Sequence, residues 1–187
     1  ALCKQKITIS DLSAAVTGLL LALNLPASVT WWQAIIGSVI AVVVVKGLFG
    51  GIGKNFANPA ITARIILLLA FSASVGAAVQ PVIVDATSTA TPLTILKLDY
   101  GILPSLFEMM IGLRGGAIGE TCSLALILGG VYLMIRKVIT WHTPVIFVGC
   151  VFLFTLILNG SLEFALYEVL SGGLLIGAIF MATDYST

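Results

Sequence analysis

The sequence predicts an all-α membrane protein: a polytopic bundle of transmembrane helices with broken and half helices and internal inverted repeats. Three observations predict it. Of 187 residues, 59% are hydrophobic and 9% charged, whereas soluble domains are roughly 25% charged, and the mean hydropathy is +1.16. Apolar segments recur along the whole chain, which at roughly 20 residues per ~30 Å span has room for about six or seven of them. Glycine, proline and asparagine interrupt several of these segments, the mark of helices that break inside the bundle.

The first apolar segment, Leu12 to Leu25, follows Lys4 and Lys6 and ends at Asn24 and Pro26, where a helix loses a backbone donor. The second opens on Trp31-Trp32, whose rings suit the headgroup level, and runs to Phe49, with Lys46 and Lys54 closing it. A glycine-rich stretch from Gly47 to Gly53 leads to a third segment, Asn58 to Phe71, with Asn58 as N-cap and Pro59 at the first helical position. From Ser72 to Pro104 the apolar density falls, giving the one long polar loop, with Asp85, Lys97, Asp99 and a Ser/Thr cluster. The short apolar piece Ile102 to Leu113 reads as a half-helix, and a span follows from Ala117 to Ile135 before Arg136-Lys137. Two more spans, Pro144 to Leu158 and Leu162 to Met181, are separated only by Asn159-Gly160, which makes them antiparallel neighbours.

Positive residues favour the cytoplasmic side, which places Lys4/Lys6, Lys46/Lys54 and Arg136/Lys137 inside and the Ser72 to Pro104 loop outside if Ile102 to Leu113 is re-entrant. If that piece spans, every later segment inverts; the charge bias leaves both arrangements open. The start at Ala1 and the stop at Asp184-Tyr185-Ser186-Thr187 after an apolar helix read as the ends of a fragment, one transmembrane domain from a longer polypeptide.

A net charge of +1 excludes a nucleic-acid surface, which needs a concentrated basic patch. Three scattered cysteines, Cys3, Cys122 and Cys150, give neither a disulfide framework nor a metal site. Gly50-Gly51-Ile52-Gly53-Lys54 lacks the second half of a phosphate loop and is rejected as one. Glycine pairs such as Gly173 and Gly177 are expected to let helix backbones approach. Ionisable residues within spans cost about 2.5 kcal/mol or more each, so Arg64, Glu120, Glu163 and Glu168 need partners or a wet cavity. Glu120 stands out because it lies near a span's start, where the positive helix end stabilises a carboxylate. Glu163 and Glu168 sit closer to a turn, and His142 reads as an interfacial loop residue.

The segment Asp85-Ala86-Thr87-Ser88-Thr89-Ala90-Thr91 resembles the flavinylation motif Asp-x-x-Ser-x-Ala-Thr, found in the D-type membrane component of the Rnf ferredoxin:NAD oxidoreductase and the B-type component of the sodium-pumping NADH:quinone reductase. Three further segments agree in order: Gly50 to Ala60, Gly115 to Cys122, and Phe180 to Asp184. The resemblance implies that a transferase moves FMN from FAD onto Thr91 as a phosphoester, with Asp85, Ser88, Thr89 and Ala90 as the rest of the motif. Thr89 stands where the family usually has glycine. Arg64, Lys97 or Arg114 could offset the phosphate charge, and Glu120, Asn58 and Asp184 are the ion-pathway or coupling candidates.

The Thr-Ala-Arg after Asn58-Pro59-Ala60 and the short loops place the chain nearer the Rnf component. The implied function is electron relay through flavin at the outer face of a bacterial or archaeal cell membrane, coupled to sodium or proton movement. The implied partners are a second flavinylated subunit, iron-sulfur and flavin subunits inside, and two small membrane subunits. A further riboflavin is implied without a site. The rival reading, a channel or solute transporter without redox cofactor, explains Asn58-Pro59, Arg64 and Glu120 equally well and leaves the Asp85 to Thr91 pattern unexplained.

Overall fold

The computed structural model of the chain describes residues 11–184 except 50, 52, 56, 81–86, 90 and 99–102, and helices dominate them. Lys4, Lys6, Cys3, Asp85, Ala90 and Asp99 lie outside the described residues. The chain divides into two compact units, Ala1–Gly76 with Asp184–Thr187, and Ala77–Thr183.

In the first unit α1 (Ser13–Leu23) ends as expected, with the Asn24 side chain donating to the Leu20 carbonyl at 2.7 Å. Helix α2 (Trp31–Val39) continues without interruption as a π-helix over Ile40–Gly47. The wider turn redirects side chains. Lys46, which the charge pattern places at a cytoplasmic helix end, is instead 6% exposed, and its Nζ donates to Thr17 Oγ1 of α1 at 3.4 Å. Helix α3 (Pro59–Ala70) starts where Asn58 dictates, since Asn58 Oδ1 accepts the N–H groups of Ala60 and Ile61 at 3.0 and 3.3 Å. Leu67 of α3 packs where the absent side chain of Gly37 in α2 leaves space, because a Cβ there would lie 2.5 Å from Leu67 Cδ1. A single turn, α4 (Ser72–Val75), is tied to the start of α2 by Gln33 Nε2 donating to Ser74 Oγ at 2.9 Å.

The second unit begins in the stretch read as one polar loop, and part of that stretch is ordered secondary structure. Strands β1 (Ala78–Gln80) and β2 (Thr87–Thr89) pair antiparallel, Val79 opposite Ser88, and α5 (Pro92–Leu98) follows. Helix α6 (Leu106–Ile111) has six residues, about 9 Å of helix, too short to cross a ~30 Å core alone. It ends at Gly112, whose φ of 105° suits glycine. The next span starts later than the sequence indicates: α7 is Ser123–Ile135, not Ala117 onward. Arg114 takes the Glu120 and Thr121 carbonyls, and the Glu120 side chain folds back to the Ala117 N–H, so these residues form a turn instead.

Helix α8 (His142–Asn159) begins at His142, so that residue opens a helix rather than sitting in a loop, exposed and stacked on Trp141 at 4.0 Å. Gly160 at φ 64° turns the chain into α9 (Leu162–Leu170), which packs on α8. The apolar run from Leu162 to Met181 then breaks at Ser171–Gly173, and α10 (Leu174–Ile176) continues as a π-helix to Met181, bent from α9 by 66°. Ile139, Leu175 and Ile179 form the core here. The predicted close approach at Gly177 is absent, since nothing lies within 4 Å of a Cβ there; Gly130 takes that role, with Ile179 Cγ2 2.7 Å from its Cβ position.

Among the described residues α8 is long and apolar enough to cross a membrane, and α9 with α10 passes as one bent span; α1, α2 with its π extension, α3 and α7 are shorter apolar helices. Large apolar side chains such as Ile146, Phe154 and Ile157 face outward on α8. This is the surface of a membrane protein.

Candidate functional site

Thr91 opens α5. Its hydroxyl oxygen accepts the Thr94 N–H at 3.2 Å and lies 2.7 Å from Thr94 Oγ1, while Pro92 supplies a first helical residue that needs no donor. The side chain is half-buried. Thr87, Ser88 and Thr89 form the strand β2 that leads toward it, and Asp85 and Ala90 of the motif lie outside the described residues. Two residues beyond Thr91, Leu93 Cδ1 sits 2.8 Å from where a Cβ on Gly172 would be. The base of α5 therefore rests on the break between α9 and α10, and Gly172, at φ 59°, is the residue that admits both the contact and the backbone turn.

A second polar cluster occupies the same unit. Arg114 is 2% exposed and Glu120 5%. Arg114 Nε donates to the Thr121 carbonyl at 3.0 Å, and Nη2 donates to the Glu120 carbonyl and, at 3.5 Å, to Ser123 Oγ. Glu120 Oε1 accepts the Ala117 N–H at 2.9 Å, and a Cβ on Gly116 would stand 3.1 Å from that oxygen. The nearby carboxylate offsets part of the cost of burying the guanidinium charge. Ser123 Oγ lies within hydrogen-bond reach of the Met109 and Leu170 carbonyls, at 3.4 and 3.3 Å, so it joins the end of α6 and the end of α9 to the start of α7. Glu120 thus sits in a turn three residues before α7, not in the helix's first turn.

The sequence match decides the lineage. Residues 1–187 match the sequence model of the NQR2, RnfD, RnfE family. The chain belongs to that family. It is 42% identical over 189 residues to the D-type component of the Na(+)-translocating ferredoxin:NAD(+) oxidoreductase complex of Acetobacterium woodii, covering 100% of this chain and 58% of that protein. It is 39% identical over 198 residues to the D-type component of the proton-translocating ferredoxin:NAD(+) oxidoreductase complex of Clostridium ljungdahlii, covering 98% and 60%. Identity to the D-type component of the ion-translocating oxidoreductase complex of Alcanivorax borkumensis is 34% over 202 residues, covering 94% and 59%. The chain spans about three fifths of the length of these curated relatives. The resemblance drawn from the four motif segments therefore identifies the right family.

Within this family member, the sequence candidates separate by unit. Thr91, Ser88, Thr89, Arg114 and Glu120 belong to the second unit. Asn58 and Arg64 belong to the first, where Asn58 Oδ1 caps α3 and Arg64 Nη1 donates to Asn24 Oδ1 at 3.1 Å. Asp184, three residues beyond Met181, is half-buried and belongs to the first unit. Sequence reasoning missed Ser123, Ser171 and the burial of Lys46. A Ser-Gly-Gly run inside an apolar segment, Ser171-Gly172-Gly173, was the available signal for the second break.

Proposed function

We propose that this chain is the flavin-bearing portion of a membrane electron-carrier subunit in an ion-translocating ferredoxin:NAD oxidoreductase complex, with FMN on Thr91. The observation that carries the reading is the motif ending at Thr91, in a chain with a half-buried Thr91 hydroxyl at the start of α5. Attachment consists of attack by Thr91 Oγ on the FMN-side phosphorus of FAD, with AMP leaving and the hydroxyl proton lost, performed by a separate transferase because no base stands beside the hydroxyl in the sequence. The Thr91 oxygen fits a phosphoester: it is reachable, and its neighbours Thr94 N–H and Thr94 Oγ1 can donate to phosphate oxygens. Bound FMN supplies reversible electron storage. The chain's own part is to hold the attachment point, with Leu93 seating α5 against Gly172.

In this reading the flavin loop, residues 72–104, faces the extracytoplasmic side of a multi-pass subunit. Glu120 is the carboxylate that couples electron flow to movement of sodium ions or protons, with Asn58 and Asp184 as further pathway candidates. Electrons pass between a second flavinylated subunit and iron-sulfur subunits, alongside small membrane subunits, and a riboflavin is a further cofactor of this component.

Mass spectrometry of the Thr91 peptide tests the attachment. The expected result is an FMN adduct that disappears in Thr91→Ala. A natural chain without covalent flavin, or a flavin retained by Thr91→Ala, overturns the reading and favours a pure transporter, which shows no in-gel flavin fluorescence after denaturation.

A further inference from the structure

The second unit contains a cleft that the electron relay does not use. Helices α7 and α8 each pack on the last helix, which runs from Leu174 to Met181, and between them lies a cleft of about 510 Å³. Its walls run from Ile127 to Met134 on α7 and from Pro144 to Phe152 on α8, with Leu175 and Ile179 as the floor. A Cβ on Gly149, in the α8 wall, would meet nothing within 4 Å, so the space is open at that depth. At 1.5 Å per residue each wall is about 10–12 Å long, close to the ~15 Å that one leaflet contributes to a ~30 Å hydrocarbon core. None of the lining side chains is polar. A cofactor ring is held by a few placed polar groups, whereas a hydrocarbon chain needs none.

One end of the cleft has the opposite character. Residues 136–141 connect α7 to α8 and so cross the end marked by Met134 and Pro144. Arg136 and Lys137 in this connector are exposed, and no Asp or Glu occurs between Glu120 and Glu163 to balance them. Trp141 is exposed and stacks on His142, which puts amphipathic rings of the kind that favour the headgroup level beside the same two cations.

We propose that this cleft binds one anionic phospholipid, with an acyl chain between α7 and α8 and the phosphate on Arg136 and Lys137. Two like charges at the end of an apolar slot select a molecule with a negative head and a hydrocarbon tail, and basic residues between helix ends hold such head groups. The tail bridges the facing walls of α7 and α8. The phosphate neutralises a pair of charges that this stretch of the chain leaves unbalanced. The site stands apart from the flavin reading of Thr91 and the coupling reading of Glu120, and neither is needed for it.

The test uses the intact complex with this component at full length, purified in a neutral detergent. The probe is phosphatidylglycerol with a photoreactive diazirine in its acyl chain, and adducts are located by peptide mass spectrometry after illumination. Labelling is expected on residues 127–134 and 144–152. Each basic residue at a membrane surface is worth about fivefold in affinity for an anionic lipid, so at least about tenfold less unlabelled phosphatidylglycerol than phosphatidylcholine should halve this labelling. Adducts on the outward face of α8, at Ile157, should be competed equally by both lipids. In the double variant Arg136→Gln/Lys137→Gln the preference for phosphatidylglycerol should disappear, and Gly149→Leu, which sends a side chain into the cleft, should lower labelling of both stretches with the charges intact. Equal potency of the two lipids on the wild type overturns the proposal, as does a preference that survives the double substitution. Unchanged labelling in Gly149→Leu puts the tail outside the cleft and overturns it too. Absence of adducts from both stretches shows that a helix of the complex fills the cleft, with the same consequence. Should the double variant fail to assemble, the single variants decide, and an unchanged preference in both of them overturns the proposal.

Discussion

Gly172→Ala tests whether the seat of α5 is built as the structure indicates. Two separate penalties follow from one methyl group. The residue holds φ at 59°, a left-handed conformation that costs an L-amino acid about 1–2 kcal/mol. The new Cβ would also stand 2.8 Å from Leu93 Cδ1, which must move; the end of a leucine side chain yields more readily than backbone, so this adds about 1 kcal/mol. Together they predict a loss of about 2–3 kcal/mol, and at roughly 2–4 °C per kcal/mol the melting temperature falls by roughly 4–12 °C. Tryptophan fluorescence of the detergent-solubilised protein reads the transition, with Trp141 reporting from the same unit. A double-mutant cycle with Leu93→Ala isolates the contact: the coupling should be about 1 kcal/mol, the backbone part remaining in the double variant. In-gel flavin fluorescence should fall with Gly172→Ala and recover in part in the double variant. Stability within about 0.5 kcal/mol of wild type, the range of a neutral surface change, or a coupling near zero, refutes the argument that Gly172 seats α5.

Three further outcomes are expected. Asn58→Ala removes an oxygen that accepts two backbone N–H groups at the start of α3, so stability should fall by about 1–2 kcal/mol, measured as a melting shift, while Asn58→Asp or Asn58→Ser should retain most of it. Thr17→Val strips the buried Lys46 ammonium of its acceptor and should destabilise by about 1–3 kcal/mol, whereas Lys46→Met should be neutral or stabilising and should suppress the Thr17→Val defect; an additive double variant would show that the two side chains do not interact. Gly130→Ala drives a Cβ to 2.7 Å from Ile179 Cγ2 and should cost about 1–3 kcal/mol, with Ile179→Ala in the same chain relieving the clash; equal melting temperatures for Gly130→Ala and wild type would contradict the packing of α7 on the last helix.

What could be read from the sequence was local. Asn58-Pro59 announces a helix start because the cap oxygen and the missing proline donor act within one turn, and Asn159-Gly160 announces a reversal because only the backbone at Gly160 has to adopt φ 64°. The motif ending at Thr91 was legible for the same reason, being a run of seven residues. What escaped depends on side-chain contacts and backbone turns that hydropathy does not encode. Nothing near Ala117 says that Arg114 will claim the carbonyls of Glu120 and Thr121 and postpone α7 to Ser123. The run from Leu162 to Met181 is mostly apolar and passes for one span, although Ser171 is extended and Gly172 left-handed. Lys46 looked like a helix-end charge because its burial depends on a π-helical register that hydropathy does not encode.

A break in an apolar helix creates a particular problem inside a membrane: several N–H and C=O groups lose their partners where no water can replace them. The second unit meets it with side chains rather than with solvent. Arg114 takes carbonyls of one break, and Ser123 stands between the carbonyl of Met109 on one side and that of Leu170, at the edge of the other break, on the opposite side. The Ser171 hydroxyl is 2% exposed and has no hydrogen-bond partner among the described residues, and Arg114 Nη1 has none at the first break, so neither break is fully satisfied. Incompletely satisfied polar groups are where a packed apolar structure yields first, since a small movement gains a hydrogen bond without losing one. The Leu93 seat of α5 lies on this second break, next to Ser171, which sets the Thr91 end of α5 against a turn with an unsatisfied hydroxyl. Leu93, the Ser171–Gly173 break and Ser123 form one short chain of contacts from the start of α5 to the start of α7, and if Thr91 and Glu120 have the roles proposed above, Ser123→Ala should alter coupling while leaving in-gel flavin fluorescence intact.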